Sequence, residues 1–188
     1  MRVLFCWLLT LMLASCSNLP PNVKAISSVD ANQYLGTWYE IARMDNYFER
    51  GLIQVTATYS KNADGTIKVS NRGYHTAKKE WKEAIGSAYF VDPPNADGSN
   101  TGKLKVTFFK PFYAGYNIIE LDKPYYNYVM VASGRDDLWI LARTPQLAYP
   151  IKQELIAKAK ALGYATEKLI NTEQSGEIIN YKTGPHVN

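Results

Sequence analysis

From Tyr34 onward, short runs of β-branched and aromatic residues alternate with turn residues. Runs of this length and spacing are typical of an all-β meander, in which each strand pairs antiparallel with the next. The pattern predicts eight strands, at approximately residues 36–44, 53–60, 66–74, 81–91, 103–109, 115–121, 126–133 and 137–143. We therefore predict an all-β fold.

The hydrophobic period changes after Thr144. Apolar residues now recur at the three- and four-residue spacing of a helix, at Ile151, Leu155, Ile156, Ala159 and Leu162. Pro150 suits the first turn of a helix and Gly163 its C-terminal stop. We predict one amphipathic helix packed outside the strands, followed by a short last strand near residues 178–181.

Eight meandering strands and one helix are typical of a closed up-and-down barrel, because closure removes exposed sheet edges. Such a barrel has an interior just wide enough for one small ligand. Alternation along the strands, starting from Trp38, predicts the side chains that point inward. The predicted inward residues are Glu40, Ala42, Val55, Ala57, Tyr59, Val69, Asn71, Gly86, Ala88, Phe90, Leu104, Val106, Phe108, Ile118, Tyr128, Met130, Trp139 and Leu141.

This predicted interior is mostly apolar, with small residues that leave room and a few polar groups. It suits an acyl chain with a polar head. Ordinary filling of the barrel is the alternative at every single position, because small barrels fill their interiors with side chains. A register slip of one residue would invert the assignments of a whole strand.

The N-terminal residues indicate export. Arg2 precedes the uncharged run 3–13, which is shorter than the ~20 residues that span a bilayer as a helix. The run ends in Leu-Ala-Ser-Cys at residues 13–16, which resembles a bacterial lipobox, where cleavage precedes an acylated cysteine. The alternative is an ordinary signal peptide, with Cys16 an incidental thiol.

The lipobox divides the chain into a lipoprotein signal peptide at 1–15, a lipidated N-terminus and tether at 16–29, and one domain at 30–188. Acylation at Cys16 would anchor the protein to a membrane without spanning it. Ser17 stands where an aspartate would favour the inner membrane. We therefore expect the periplasmic face of the outer membrane.

Composition and charge narrow the functional classes. The chain has 188 residues, 46% of them hydrophobic, which is enough for one core without a metal or a disulfide. Cys6 lies in the signal and Cys16 is the only other cysteine, so the exported chain has no intramolecular disulfide. Without Arg2 the chain keeps 20 basic and 17 acidic side chains. This small excess does not indicate a nucleic-acid partner.

Two segments resemble motifs of the lipocalin family. Residues 34–43 resemble the first motif, with Gly36 and Trp38 as its fixed points, and residues 138–145 resemble the third, with Arg143 as its arginine. The middle motif differs from that of the family, because Lys-Pro-Tyr at 123–125 stands where lipocalins commonly have Thr-Asp-Tyr. With the lipobox, the chain resembles bacterial outer-membrane lipocalins from about residue 29 to residue 183.

The resemblance implies an eight-stranded antiparallel lipocalin barrel with one C-terminal helix outside. It also implies that Trp38 closes the base, with the Arg143 guanidinium over its indole in a cation–π contact worth ~0.5–2 kcal/mol. Gly36 lets the chain enter the barrel tightly. Gly36, Trp38 and Arg143 are therefore expected to have structural roles.

The predicted open end of the barrel carries two kinds of side chain. The aromatic and apolar ones are Tyr47, Phe48, Leu52, Tyr74, Trp81, Phe109, Phe112 and Tyr113. The basic ones are Arg50, Arg72, Lys78, Lys79, Lys82 and Lys110. This mixture suits a surface that meets a lipid and its phosphate. The alternative is that the loops pack on themselves and their charges are solvated.

No catalytic motif is visible. The sequence has no Gly-x-Ser-x-Gly elbow and no His, Cys, Asp and Glu cluster at metal-ligand spacing, and its two histidines are His75 and His186. We expect no enzymatic activity and no cofactor. The predicted function is storage or transport of a fatty acid or lysophospholipid for envelope maintenance. The alternative is a tethered barrel with a filled interior that binds a protein partner.

Overall fold

Eight strands close into an antiparallel barrel, which confirms the predicted fold class. The computed structural model describes residues 19–174. Its barrel strands are β1 (Gly36–Arg43), β2 (Leu52–Lys61), β3 (Ile67–His75), β4 (Glu80–Phe90), β5 (Lys103–Phe109), β6 (Phe112–Leu121), β7 (Tyr128–Ala132) and β8 (Leu138–Ala142). Each strand pairs with the next, and β8 pairs with β1, so the eight strands form one closed ring.

The seam between β1 and β2 is closed in an unexpected way. Residues 36–39 pair with residues 56–59, but the later half of β1 pairs on this side with β9 (Ile170–Asn171). This short strand lies outside the ring and was not predicted. The strand predicted at 178–181 lies outside the described residues.

The residues after β9 bridge the remaining gap between β1 and β2. The Gln54 backbone N–H donates a 2.7 Å hydrogen bond to the Glu173 carbonyl. The Gln174 side-chain amide donates to the carbonyls of Glu40 and Val55, both at 2.8 Å. The C-terminal segment 170–174 therefore completes the wall where β1 and β2 separate.

The predicted helix packs outside the barrel as α2 (Tyr149–Ala161). Pro150 lies in its first turn, and Gly163 follows its end at a φ of +91°, which suits glycine. Leu155 and Ala159 are buried in an outer core cluster together with apolar residues of β1, β7 and β8. Within residues 19–174, neither this helix nor any other is long and apolar enough to cross a membrane.

The stretch predicted as a tether lies on the barrel from Leu19 onward. Val23 and Val29 are buried, and the Ile26 N–H donates to the Ile118 carbonyl at 2.9 Å. The side chain of Asp30 then caps α1 (Ala31–Tyr34). From Leu19 onward, the predicted tether therefore packs on the barrel. The domain boundaries stay a prediction.

The direction of the strands defines two ends of the barrel. The β2–β3, β4–β5 and β6–β7 connections lie at one end together with the start of β1, and we call this end the base. The other connections, residues 44–51, 76–79, 110–111 and 133–137, lie at the opposite end, which we call the mouth.

The base is closed by Trp38 and Arg143. Trp38 is fully buried, and the Arg143 guanidinium carbon lies 3.7 Å from the centroid of its ring. The same guanidinium donates to the carbonyls of Gln33 at 2.6 Å and Thr37 at 3.0 Å. A Cβ on Gly36 would approach the guanidinium to 3.3 Å, and its φ is +95°. Arg143 thus ties α1 and β1 to the end of β8.

The β6–β7 turn is held by the tyrosine that follows the middle motif. Tyr125, the residue retained from the middle motif, is exposed, whereas Tyr126 is buried. The Tyr126 hydroxyl accepts a 2.8 Å hydrogen bond from the Asp30 N–H, and the Tyr126 carbonyl accepts from Arg143. Tyr126 therefore links this turn to the start of α1 and to Arg143.

We expect Trp38→Ala to lower the free energy of unfolding by ~3–5 kcal/mol, because it removes a fully buried ring and the cation–π contact of that ring with Arg143. Chemical denaturation of the variant and the parent measures the difference. Trp81→Ala is the matched control, because Trp81 is only partly buried and also has an arginine, Arg72, over its ring. Equal losses in the two variants would contradict a special role for the base.

Candidate ligand site

The half of the interior nearest the base is filled. Of the predicted inward residues, the structure buries Tyr59, Val69, Ala88, Leu104, Ile118 and Leu141 in one inner cluster. Ala57, Phe90, Val106 and Trp139 pack against the same cluster. Their inward orientation agrees with the prediction, while contact with a ligand stays a prediction. Trp139 lies toward the mouth, where its indole contacts Glu49, and ordinary filling of the barrel describes the other side chains.

Three tyrosine hydroxyls form the polar part of this filling. The Tyr59 hydroxyl donates to that of Tyr116 at 2.9 Å, and the hydroxyls of Tyr116 and Tyr34 are 2.6 Å apart. Burial raises the pKa of all three phenols well above the usual range, so they stay neutral. Two contacts use two of the three hydroxyl protons. One proton is therefore left to donate to a further acceptor.

Toward the mouth, the inner wall is built of small residues. Strand pairing places Ala84 beside Asn71, Gly86 beside Val69 and Ala114 beside Val106, and paired residues share one face of a sheet. Ala84 and Ala114 are exposed although they point inward. Between β4 and β6, the upper half of the interior is therefore open to solvent. We call Ala84, Gly86 and Ala114 the small-residue wall.

Gly86 is required where β4 and β5 approach each other. A Cβ at this position would lie 2.6 Å from the Thr107 carbonyl oxygen and 2.8 Å from the Phe108 ring. The Phe108 ring therefore lies directly on the small-residue wall and is still partly exposed. Nearby, the buried Oδ1 of Asn71 has no hydrogen-bond partner among the described residues. This half of the interior offers apolar surface with one open polar point.

Three predicted inward residues point the other way. Ala42 and Met130 are buried in the outer cluster beneath α2, and Tyr128 packs against that cluster. The pairing of β1 with β8 shifts by one residue between Glu40 and Ala42, and such a bulge reverses the alternation beyond it. On β7 the inward residues are Val129 and Val131 instead.

The bulge places a charged cluster inside the barrel wall. Arg43, which is 3% exposed, donates to the Glu40 carboxylate at 2.6 Å and to the Glu49 carbonyl at 2.7 Å. The Trp139 indole N–H donates to the Glu49 carboxylate at 3.0 Å. Thr172, next to β9, also donates to Glu40. Glu40 was predicted to point inward, whereas Arg43 was missed because its position depends on the bulge.

This cluster has two carboxylates for one guanidinium. Burial, together with the Glu49 carboxylate, raises the pKa of Glu40 to about 8 despite the hydrogen bonds from Arg43 and Thr172. Glu40 is the more deeply buried of the two acids, so it takes up the proton. Beside the cluster, a cleft of about 340 Å³ lies between the start of β2 and β9. Val55, the last predicted inward residue, is buried at the same seam.

The aromatic and apolar side chains at the mouth divide into an exposed and a partly buried group. Tyr47, Phe48, Phe109 and Phe112 are all largely exposed. Tyr47 lies edge-on to Phe48, and Phe109 stacks on Phe112. Tyr113 is also exposed, whereas Leu52, Tyr74 and Trp81 are partly buried.

The predicted basic residues at this end have various partners. Arg50 pairs with Asp45 at 2.8 Å, Lys82 pairs with Glu80 at 2.7 Å, and Arg72 lies 4.1 Å from the Trp81 ring centroid. Lys78, Lys79 and Lys110 are exposed. The described residues contain no group of three or more His, Cys, Asp and Glu side chains that would hold a metal.

We expect the protein to lose stability as the pH rises from ~5 to ~8, because the unfolded chain releases the Glu40 proton before the folded protein does. Glu40→Gln removes this titration and keeps a similar shape. Thermal unfolding at pH 5.5 and pH 8 should therefore show a smaller difference for the variant than for the parent. Parallel pH profiles would show that Glu40 is ionised in the folded protein.

Comparisons with known proteins agree with this barrel. Residues 29–174 match the family model described as a lipocalin-like domain. The chain is 46% identical over 175 residues to outer membrane lipoprotein Blc of Vibrio cholerae, covering 93% of this chain and 99% of that protein. It is 30% identical over 164 residues to apolipoprotein D of Mus musculus, covering 82% of each chain.

Solved structures show the same architecture. The major allergen Per a 4 from cockroaches superimposes with a TM-score of 0.64 at 17% identity, covering 85% of this chain and 96% of that chain. This level of identity shows the fold alone. Together with the family match over the whole barrel and the relatives that cover most of the chain, it shows that the protein belongs to the lipocalin family.

Proposed function

We propose that the protein is a membrane-anchored carrier that binds one single-chain amphiphile, a fatty acid or a lysophospholipid, in the upper half of its barrel. As a lipocalin it is a binding protein and not an enzyme. The observation that carries the proposal is the small-residue wall, where Ala84 and Ala114 point inward and are nevertheless exposed. Apolar surface inside a barrel and open to water is suited to an acyl chain.

The depth of the open half limits how the ligand is held. The inner cluster fills the space near the base, so the chain enters from the mouth and stops above the tyrosine hydroxyls. Burial of ~10 methylene groups at ~0.8 kcal/mol each gives ~8 kcal/mol before immobilisation losses. Contacts at the mouth must then add to this for affinity in the micromolar range.

The head group lies at the mouth in this arrangement. Lys78 and Lys79 are exposed in the β3–β4 loop, and Lys82 extends from the adjacent end of β4. The amines of Lys78 and Lys79 suit the carboxylate of a fatty acid or the phosphate of a lysophospholipid, whereas the Lys82 amine is paired with Glu80. Because they are exposed, salt screens them, and their contribution falls as ionic strength rises.

The cellular role that we propose is storage or transport of such lipids in the bacterial envelope. The 46% identical relative is named an outer membrane lipoprotein. The lipobox-like end of the signal, at residues 13–16, supports the same location for this chain. We propose that Cys16 is acylated and that the domain lies on the periplasmic face.

A protein-interaction role is the second candidate, and the filled half of the barrel together with the exposed aromatic side chains at the mouth favours it. Native mass spectrometry of the protein purified without added lipid separates the two functions. A carrier retains a lipid mass, whereas an interaction module does not.

We expect Ala84→Trp to abolish the binding of a fluorescent fatty acid, because the indole would fill the space above the small-residue wall. The measurement is a titration of the delipidated protein. The matched control is Ile85→Trp, one residue along β4, where the side chain points outward and is 51% exposed. The expected result is saturable one-to-one binding in the parent and the control only.

Two results would contradict the ligand site. Binding that survives Ala84→Trp unchanged would place the ligand elsewhere. Absence of binding in the parent, with both a fatty acid and a lysophospholipid, would favour the protein-interaction role. Thermal unfolding of the two variants shows that they are folded.

We expect Cys16→Ser to release the protein from the membrane fraction or to leave it unprocessed, because serine cannot form the thioether of a lipoprotein. Cell fractionation with a carbonate wash, followed by immunoblotting, measures this. Cys6→Ser is the control, because Cys6 lies inside the signal. Washed membranes that retain the Cys16→Ser protein at the parental level would show that another feature anchors the chain.

A further inference from the structure

Tyr59 and Tyr116 form a floor between the filled and the open half of the interior. They lie on β2 and β6, which are four strands apart in the eight-stranded ring and therefore face each other across the barrel. Their hydroxyls meet at 2.9 Å. One inward position nearer the mouth, β6 has Ala114 of the small-residue wall and β2 has Ala57. The two hydroxyls therefore mark the lower limit of the open half.

Tyr116 is the tyrosine of this network that borders the open half. It is partly exposed, whereas Tyr34 and Tyr59 are buried. Because Tyr59 donates to Tyr116, the proton without an acceptor belongs either to Tyr116 or to Tyr34. The Tyr34 ring packs on the base side against Trp38, at a centroid distance of 5.1 Å. Rotation of the Tyr34 hydroxyl toward Tyr116 leaves the Tyr116 proton for an acceptor in the open half.

The wall above the floor supplies a hydrogen-bond acceptor. Asn71 lies on β3, one inward position nearer the mouth than Val69, which pairs with Tyr59. The buried Oδ1 of Asn71 has no hydrogen-bond partner in the described part of the chain. A buried polar atom without a partner is unfavourable, so a ligand that donates to this oxygen is favoured. The lower end of the open half therefore offers one hydroxyl donor and one amide acceptor.

We propose that the ligand of this site is an acyl chain that ends in a hydroxyl group, which accepts from the Tyr116 hydroxyl and donates to the Asn71 side chain. The proposal rests on the proposed function, because it assigns the chemistry of the chain end in the same open half. A hydroxyl matches the two protein groups because one oxygen atom is both donor and acceptor. A methyl end would leave both protein groups without partners, and such sites discriminate against ligands that lack the polar group.

The position of the floor sets the length of the chain. The distance from Val69, level with Tyr59, to His75 at the mouth end is ~20 Å along β3. With the ~40° tilt of barrel strands, this gives a depth of ~15 Å, which an extended chain of about ten to twelve carbons spans. The carboxylate of such a chain lies near Lys78 and Lys79, in the loop that follows β3.

The charged head of a fatty acid does not suit the floor. Burial raises the pKa of the three phenols Tyr34, Tyr59 and Tyr116, because this environment disfavours a negative charge. A carboxylate that reached the floor would meet the same penalty, whereas a neutral hydroxyl would not. The head group therefore stays at the mouth, and the neutral end of the chain reaches the floor.

The test compares 12-hydroxydodecanoic acid, 2-hydroxydodecanoic acid and dodecanoic acid, each in displacement of a fluorescent fatty acid from the delipidated protein. The two hydroxy acids have the same composition and differ only in whether the hydroxyl reaches the floor or stays at the mouth. We expect the 12-hydroxy isomer to bind more tightly than the 2-hydroxy isomer, by a factor of about five or more. A floor without a free donor and acceptor predicts the opposite order, because the hydroxyl would lose its water without gaining a partner.

Three variants identify the groups that recognise the hydroxyl. The Tyr59→Phe, Tyr116→Phe double variant removes both hydroxyls of the floor and keeps the rings, and it should weaken the 12-hydroxy isomer about ten-fold but not dodecanoic acid. Tyr34→Phe is the matched control, because it removes a buried hydroxyl of the same network but leaves the Tyr116 proton. Asn71→Leu keeps a similar shape without the amide, and it should also weaken the 12-hydroxy isomer alone.

The outcomes separate this proposal from the carrier function. If the parent binds dodecanoic acid, but binds the 2-hydroxy isomer as tightly as the 12-hydroxy isomer or more tightly, the proposal is overturned and the carrier function stands. If the parent binds none of the three acids, both are overturned.

The variants are judged by the same preference between the isomers. A preference that survives in a folded variant overturns the role of the group that the variant removes. Thermal unfolding shows which variants are folded. If the double tyrosine variant does not fold, the comparison of the isomers in the parent and in Asn71→Leu still decides the question.

Discussion

The contact between the Arg143 guanidinium and the Trp38 indole fixes one end of the barrel, and the rest of the interior is arranged above it. The arginine is 3.7 Å from the ring centroid and also donates to backbone carbonyls of α1 and β1. Gly36 makes this approach possible, because any side chain there would meet the guanidinium. A closed base forces a ligand to enter and leave through the mouth.

The interior is consequently divided into two halves with different properties. Near the base, buried rings and the tyrosine hydroxyls fill most of the space. Toward the mouth, Ala84, Gly86 and Ala114 are too small to fill the space between the strands. The closed ring of strands keeps this space open. The packed side chains near the base stabilise the fold. The half toward the mouth can therefore stay without the side chains that would complete a core there.

The seam between β1 and β2 contains both the bridging C-terminal segment and the buried charged cluster. Residues 170–174 bridge the strands that diverge there, and Thr172 in this segment donates to Glu40. One guanidinium, Arg43, serves both Glu40 and Glu49, so protonation of Glu40 balances the cluster. The C-terminal segment is thus attached to the barrel by backbone hydrogen bonds and by a buried polar network.

The sequence by itself determined the strands, the helix and the residues of the base, because these depend on local periodicity and on motifs such as Gly36 with Trp38. Tertiary structure alone decided which face of the sheet Ala42 and Arg43 occupy. The reason is that a bulge arises from the pairing of two strands and cannot be recognised in the sequence of either strand by itself. It also decided that residues 19–29 pack on the barrel and that residues 170–174 close its seam. Both segments lack a period of their own, and their positions depend on hydrogen bonds to strands far away in the chain.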